Sequence, residues 1–319
     1  MDNTKDDNQT GAGIPLVSVG LAVYNGENYL RQSIESILDQ TFDDYELIIS
    51  DNCSSDGTEA ICREMSAKSD KIRYFRQSEN LGAAGNFEFT FQQSRAKYFK
   101  WHCHDDYVFP QYLEKCVARL EAEPDAVLCQ SHIALVDAKG DVKAVYAHEV
   151  FDTTDPDPVK RFAGRLRNVR CAEVFGVMPR HVLEKTERLG PFISHDRCLL
   201  AQLTLMGRFL VVPEPLFAFR VHPEQYTHSI AHSDNVMSWY SPGLAYRPRL
   251  PRWTHLMRCV RYLGRVDLDA WTRLRGYGAL LRAQINLNQM GALLREAKRL
   301  ARYVVQRIVG KVLVGRRTA

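Results

Sequence analysis

The 319-residue chain contains no run of about 18 apolar residues, so no membrane-spanning helix is expected. Its cysteines (Cys53, Cys62, Cys103, Cys116, Cys129, Cys171, Cys198 and Cys259) include no Cys-x-x-Cys pair and no tight framework. That pattern argues against a disulfide scaffold and leaves reduced, packed thiols of a cytosolic protein. Residues 1–13 are polar and acidic without an apolar core, and are expected to form a disordered tail rather than a secretory signal. No Gly-x-Gly-x-x-Gly follows the first predicted strand; Gly11 and Gly13 precede it, which excludes the dinucleotide fingerprint. Internal repeats and long low-complexity tracts are absent too. The composition that remains, 45% hydrophobic and 25% charged, is that of an ordinary globular protein long enough for a sizeable core.

The net charge of +4 conceals an asymmetry. Residues 245–319 carry 17 Lys and Arg against 3 Asp and Glu, a charge of +14, whereas residues 1–244 carry 25 against 35, a charge of −10. An acidic body with a basic tail predicts a tail that meets something anionic: a membrane face, nucleic acid or the body itself.

Apolar periodicity predicts alternating strands and helices in the first 130 residues. Val17–Tyr24 reads as a buried strand and Glu27–Gln40 as a helix, with Leu30, Ile34, Ile37 and Leu38 on one face. Strands follow at Tyr45–Ser50, Lys71–Phe75, Lys97–Trp101 and Ala126–Cys129. Helices are predicted from Asp56 to about Lys68, over Gly85–Ser94, and over Pro110–Ala122 with Pro in the first turn. Strand–helix alternation implies a mostly parallel sheet with right-handed crossovers. Beyond residue 130 the pattern is mixed. Antiparallel pieces are expected at Ser131–Val136 and Val142–Ala147, a break at Asp152–Pro158, a helix over 195–207, and short strands at Phe209–Val212 and Leu216–Val221. Residues 233–252 read as a linker, and the chain from Trp253 onward as a helical basic extension.

Ligands of parallel sheets bind beyond the carboxyl ends of the strands. Three polar clusters fall there: Tyr24-Asn25-Gly26, Asp51 with Asn52, and Asp105-Asp106. Adjacent carboxylates repel each other and are costly to bury without a cation between them. Mg²⁺ and Mn²⁺ accept carboxylate oxygens together with substrate phosphates, so the pair points to a phosphorylated substrate held through metal. A zinc site from His102 and His104 lacks further ligands at suitable spacing. Asp56 reads better as a helix cap than as a ligand. Tyr24 presents a ring face for a nucleobase or packs in the core.

The ordered set of motifs, Val17-Ser18-Val19 through Tyr24-Asn25-Gly26, Ile49-Ser50-Asp51, Asp105-Asp106, His195-Asp196-Arg197 and Arg220-Val221-His222, resembles family 2 glycosyltransferases. The resemblance covers roughly residues 15–225. It implies an inverting enzyme with the GT-A nucleotide-diphospho-sugar transferase fold, a catalytic domain over 14–232 (nucleotide-sugar half about 14–130, acceptor half about 131–232), the linker, and the extension over 253–319. It implies a donor site at Tyr24, Asn25, Asp51, Asp105 and Arg220, with a UDP-sugar favoured. It places Mg²⁺ or Mn²⁺ at Asp106 with His222, and a general base at Asp196. Here Ser50 stands where the family commonly has a second acid beside Asp51, and His195 stands where it often has Glu. Gly82-Ala83-Ala84-Gly85-Asn86 is similar to a family segment near the donor, or is a tight connection. Arg220 pairs with phosphate on this reading, or with an acid of the body. The alternatives are a nucleotidyltransferase, for which the Asn25-Gly26-Glu27 turn lacks the basic Gly-rich loop, and a non-catalytic module that binds membrane or nucleic acid.

In the tail, Leu294, Ala297, Ala301, Val304, Val305, Ile308 and Val312 share one helical face, while Arg295, Lys298, Arg299, Arg302 and Lys311 fall largely elsewhere. This basic amphipathic helix over 293–312 either lies on an anionic membrane or packs its apolar stripe on the catalytic domain. The expected acceptor is lipid-linked or a glycan, nucleic acid is not expected as a partner, and the expected location is cytoplasmic, peripheral on the inner membrane face.

Overall fold

A computed structural model describes residues 13–147, 153–168, 170–225, 236–244, 248–284 and 287–315, with side chains from 306 onward left out. Most of the expected disordered tail, part of the expected linker, and Ile308, Lys311 and Val312 of the expected 293–312 helix thus lie outside the described residues or side chains.

The first half alternates as the periodicity requires. Strand β1 (Val17–Val23) leads to α1 (Leu30–Leu38), β2 (Tyr45–Asp51), α2 (Thr58–Lys68), β3 (Ile72–Arg76), α3 (Gly82–Gln93) and β4 (Tyr98–Cys103). These strands form a sheet in the order β3-β2-β1-β4, all parallel, closed by the two-residue β8 (Met178–Pro179), which runs antiparallel to β4. Both faces of β1 and β2 are covered, so neither strand shows polar alternation; every one of their residues is buried. Leu30, Ile34 and Ile37 of α1 pack into the same core as Val19, Leu21, Leu47 and Ile49. On the other face α3 lies close to β1: a Cβ on Gly20 would stand 2.6 Å from Thr90 Oγ1 and 2.7 Å from Phe99 Cζ, so only glycine allows this approach.

A second sheet follows. Strand β5 (Tyr107–Val108) and helix α4 (Tyr112–Ala122) lead to β6 (Ala126–Val136) and β7 (Val142–Tyr146); after α5 (Pro158–Arg167), α6 (Arg180–Leu183) and α7 (His195–Met206) comes β9 (Arg208–Arg220). The order is β5-β9-β6-β7, with β6 parallel to β9 and the other pairs antiparallel. The separate pieces expected at Ala126–Cys129 and Ser131–Val136 are one strand, as are those at Phe209–Val212 and Leu216–Val221. The β9 prolines, Pro213 and Pro215, fall where the β6–β9 register shifts, which lets pairing continue past residues without a backbone N–H.

Within the expected linker, α8 (Val236–Tyr240) is a short helix with Val236, Met237 and Tyr240 buried. The extension comprises α9 (Pro251–Arg265), α10 (Ala270–Gln284) and α11 (Leu287–Gly315). Cys259, Tyr262, Leu263 and Leu280 join Phe162, Cys198, Ala201 and Leu205 in one apolar cluster, so α9 and α10 share a core with α5 and α7. Helix α11 is seated differently from the packing alternative. Its buried positions are Ala292 and Glu296, and Glu296 accepts from the Arg252 and Trp253 backbone N–H groups at 3.1–3.3 Å. The Leu294–Val304–Val305 stripe is exposed. Among the described residues no helix is long and apolar enough to cross a membrane.

Candidate functional site

The parallel register sets Val23 beside Asp51 and Ala22 beside Cys103, so the ends of β1, β2 and β4 reach one edge of the sheet. Chain order reverses between β1 and β4, the place where such sheets open a crevice.

The turn after β1 is tied to the turn after β2. Asn25 takes a left-handed φ of 50°, which Asn tolerates; its N–H donates to Ser54 Oγ at 2.9 Å and its Oδ1 accepts from Ser55 N–H at 2.9 Å. Gly26 N–H donates to Thr58 Oγ1 at 2.9 Å, and a Cβ there would stand 2.5 Å from the His104 ring. Asp56 accepts from the Glu27 and Thr58 backbone N–H groups, both at 3.1 Å, a structural role as expected of it. Tyr24 is half-exposed at the rim and is not packed in the core. Asp51 is fully buried: Arg76 Nη1 donates to Oδ2 at 2.6 Å, Tyr74 OH to the same oxygen at 3.0 Å, and Ser54 N–H to Oδ1 at 2.8 Å. Any base contact by Asp51 shares oxygens that already accept these bonds.

Cys103 Sγ and one oxygen from each of Asp105 and Asp106 lie within 4.8 Å of one another. Burial, and then the neighbouring Asp105 charge, push the Asp106 carboxyl well above its ordinary range. Burial also works to raise Asp105, but contact with His222 and the nearby His104 outweigh it and hold Asp105 below that range. Burial, followed by the two acids, keeps the Cys103 thiol protonated, so the carboxyl groups are the better donors for a cation. A buried carboxyl reluctant to ionise alone, beside a partly buried one, fits a divalent cation. Beneath them Lys100 is buried, its ammonium pushed down to about 8 by burial against the pull of Asp106.

The structure gives Arg220 and His222 partners within the protein. Arg220 meets carbonyl and amide oxygens. It is buried, and its guanidinium donates to Asp105 O at 2.8 Å, Gln32 Oε1 at 2.6 Å, and Asp137 O and Ala138 O at 3.2 Å each. Its backbone N–H donates to Asp106 Oδ1 at 2.9 Å. These bonds brace the aspartate turn. His222 stands outside the Cys103–Asp105–Asp106 group, with Nε2 3.1 Å from Asp105 Oδ2 and its ring 4.9 Å from the Tyr29 ring. That contact orients the Asp105 carboxylate.

Asp105 and Asp106 open on a cavity of about 660 Å³ that Asp196 also lines. Asp196 sits in the first turn of α7 after Ser194, whose φ is 63°, and its Oδ1 accepts from Arg197 N–H at 2.7 Å. His195 turns away, its Nδ1 2.9 Å from Gly190 O and its ring edge-on to Tyr240. Most of the wall is apolar, including Phe87, Leu135, Phe175 and Trp239. A buried Arg165–Glu173 pair, 3.2 Å apart, braces the wall near Asp196. Sequence reasoning singled out neither member, because nothing in the spacing between 165 and 173 distinguishes a buried ion pair from surface charge.

Residues 18–185, more than half of the chain, match the sequence model of glycosyl transferase family 2. An uncharacterized glycosyltransferase of Haemophilus influenzae is 26% identical over 235 residues, 69% of this chain and 70% of that protein. One from Rickettsia felis is 34% identical over 139 residues, 43% of this chain; the match spans only 23% of the relative's length. Among solved structures, TarS of S. aureus in complex with UDP-GlcNAc superposes with a TM-score of 0.61 at 13% identity, over 88% of this chain and 79% of that one. The mannosyltransferase PcManGT of Pyrobaculum calidifontis, in complex with GDP-Man and Mn²⁺, superposes with a TM-score of 0.54 at 15% identity, over 94% and 80%. At such identities the likeness is one of fold, and the fold is the GT-A arrangement.

Proposed function

From the premise that the chain belongs to glycosyl transferase family 2, we propose that it transfers a sugar from a nucleotide-diphosphate sugar to an acceptor hydroxyl with inversion. The observation that carries this reading is the single cavity shared by the Asp105–Asp106 turn and Asp196. The donor enters along the carboxyl edge of the parallel sheet. Tyr24 offers a ring face to the base at the rim, with the Asn25 turn and Asp51 behind it, and Asp105 lies nearest the ribose and diphosphate. A UDP-sugar is the favoured donor, in keeping with the Asp51 position. Asp106, with Asp105, would hold Mg²⁺ or Mn²⁺, and the ion would supply positive charge against the donor's diphosphate. Arg220 and His222 fix those two carboxylates from behind.

Inversion requires a carboxylate across the cavity from the leaving group. Asp196 accepts the proton of the acceptor hydroxyl while that oxygen attacks the anomeric carbon. The apolar wall excludes water and so disfavours hydrolysis of the donor. The acceptor hydroxyl belongs to a lipid-linked molecule or a glycan, reached from the cytoplasmic side.

A thermal-shift panel of UDP-, GDP- and dTDP-sugars, with and without Mn²⁺, tests the reading. Stabilisation by one base series that requires Mn²⁺ is expected in the wild type and in Asp196→Asn, and is lost in Asp106→Ala. Asp196→Asn should lower turnover by about 10²–10⁴-fold without weakening donor binding. Full turnover in Asp196→Asn, or donor binding indifferent to Asp106→Ala, would refute it.

A further inference from the structure

Three successive helices of the extension each turn an apolar stripe to solvent. On α9 it is Trp253, Met257 and Val260, at i, i+4 and i+7, opposite the buried Cys259, Tyr262 and Leu263. On α10 it is Trp271, Leu274 and Leu281, which are 67%, 62% and 62% exposed, opposite the buried Gly276 and Leu280. On α11 Leu294, 63% exposed, begins the stripe that runs to Val304 and Val305, opposite the buried Ala292 and Glu296. The helices neighbour one another: Trp253 Nε1 donates to Leu293 O of α11 at 2.9 Å, and Tyr277 OH of α10 lies 3.5 Å from Val260 O. Scattered exposed apolar side chains need no explanation, but exposed stripes on three neighbouring helices do.

The charge of the segment decides what covers it. Residues 245–319 carry +14. A second copy would bring like charge onto like charge, and a nucleic acid would satisfy the arginines but leave Trp271, Leu274 and Leu281 without an apolar counterpart. A bilayer containing anionic lipid supplies both an apolar phase and negative headgroups. We propose that the outer face of α9, α10 and α11, centred on Trp253, Trp271, Leu274 and Leu281, is a docking surface for an anionic membrane. The face extends beyond the 293–312 helix. Its edge is the rim of the cavity, because Pro251, two residues before Trp253, lines that cavity. If the transferase reading holds, on which this last step rests, the acceptor is an amphiphile delivered from the bilayer directly to Asp196.

The test is co-sedimentation of the full chain with phosphatidylcholine vesicles, with and without about 30% phosphatidylglycerol. Wild type should partition onto the anionic vesicles only. Leu274→Glu/Leu281→Glu, both positions exposed and outside the 293–312 helix, should lower that partition by at least about tenfold, and Leu294→Glu should lower it independently. Donor-induced thermal stabilisation, read without vesicles, should be the same in all variants, so loss of docking is separable from failure of the transferase reading. Unchanged partition of the double variant would overturn the proposal. So would a wild-type dimer in light scattering that the same substitutions convert to monomer.

Discussion

Arg220 offers the sharpest test of the site, since a phosphate ligand and a buried clamp respond in opposite ways to Arg220→Lys. The guanidinium has four acceptors: the carbonyls of Asp105, Asp137 and Ala138, and Gln32 Oε1. It also lies 4.5 Å from the Tyr29 ring centroid. A lysine ammonium keeps the charge but loses the planar fork, and from one point it reaches at most about two of those acceptors. Each buried acceptor left without a donor costs about 1–2 kcal/mol, so Arg220→Lys should destabilise the ligand-free protein by about 2–4 kcal/mol. For a chain of this length that lowers the melting midpoint by roughly 4–8 °C. Urea unfolding with neither nucleotide nor metal present measures the effect before any binding is involved. Mn²⁺-dependent UDP binding should weaken too, because the Asp105 turn loses its support. A phosphate ligand would behave otherwise: Arg220→Lys would keep its stability to within about 0.5 kcal/mol and weaken only nucleotide binding. That result would refute the clamp.

Burial, then the Asp105 charge, hold the Asp106 carboxyl well above its unfolded range, so metal must displace its proton. Apparent Mn²⁺ affinity should therefore strengthen as pH rises toward the folded value of Asp106 and level off above it; a flat profile in a direct Mn²⁺ titration contradicts the assignment. The linked stability has the opposite sign. With a raised folded pKa, the contribution of Asp106 to metal-free stability is full below the ordinary carboxylate range and is lost as pH rises through the folded value. Asp106→Asn should remove that component from urea-unfolding profiles. Gly20→Ala places a methyl 2.6 Å from Thr90 Oγ1 and should destabilise by about 1–3 kcal/mol, part of it recovered by adding Thr90→Ala. Arg165→Met strands the buried Glu173 and should lower stability by about 3–5 kcal/mol, whereas pairing it with Glu173→Gln should restore much of the loss.

The carboxyl edge of the parallel sheet was legible because it depends on local rules. Buried parallel strands read as unbroken apolar runs, and their ends fall where polar residues resume, so Tyr24, Asp51 and Asp105-Asp106 could be set on one edge before any contact was known. The fold class followed from the same alternation. What escaped depends on long-range pairing. Strand β9 was read in two pieces because Pro213 and Pro215 lack N–H groups, yet the register shifts against β6 absorb them. The helix at Val236–Tyr240 lay in a stretch whose Pro and Ser content reads as linker; only burial against the rest of the protein makes it helical. Arg220 and His222 are legible as residues of one strand end, but the partners that set their orientation are not. A strand end indicates where a side chain is anchored, not whether Gln32, Asp137 and Ala138 converge on it from three other parts of the chain.

That orientation explains why the two sheets are inseparable in function. The aspartate turn leaves β4 in the parallel sheet, but the groups that hold it arrive from β9 in the other: the Arg220 guanidinium on Asp105 O, the Arg220 N–H on Asp106 Oδ1, and the His222 ring beside Asp105 Oδ2. Two adjacent buried carboxylates repel each other, and β4 alone has only the raised, unionised state of Asp106 with which to relieve the strain. The clamp brings a fixed positive charge and two oriented N–H donors to the turn, which offset part of the rise in Asp106 but leave its carboxyl above the ordinary range until a cation displaces the proton. The parallel sheet therefore contributes the candidate metal ligands, but their geometry depends on the end of β9. Changes in β9 packing should consequently appear as losses of metal affinity, even though no β9 side chain needs to touch the ion.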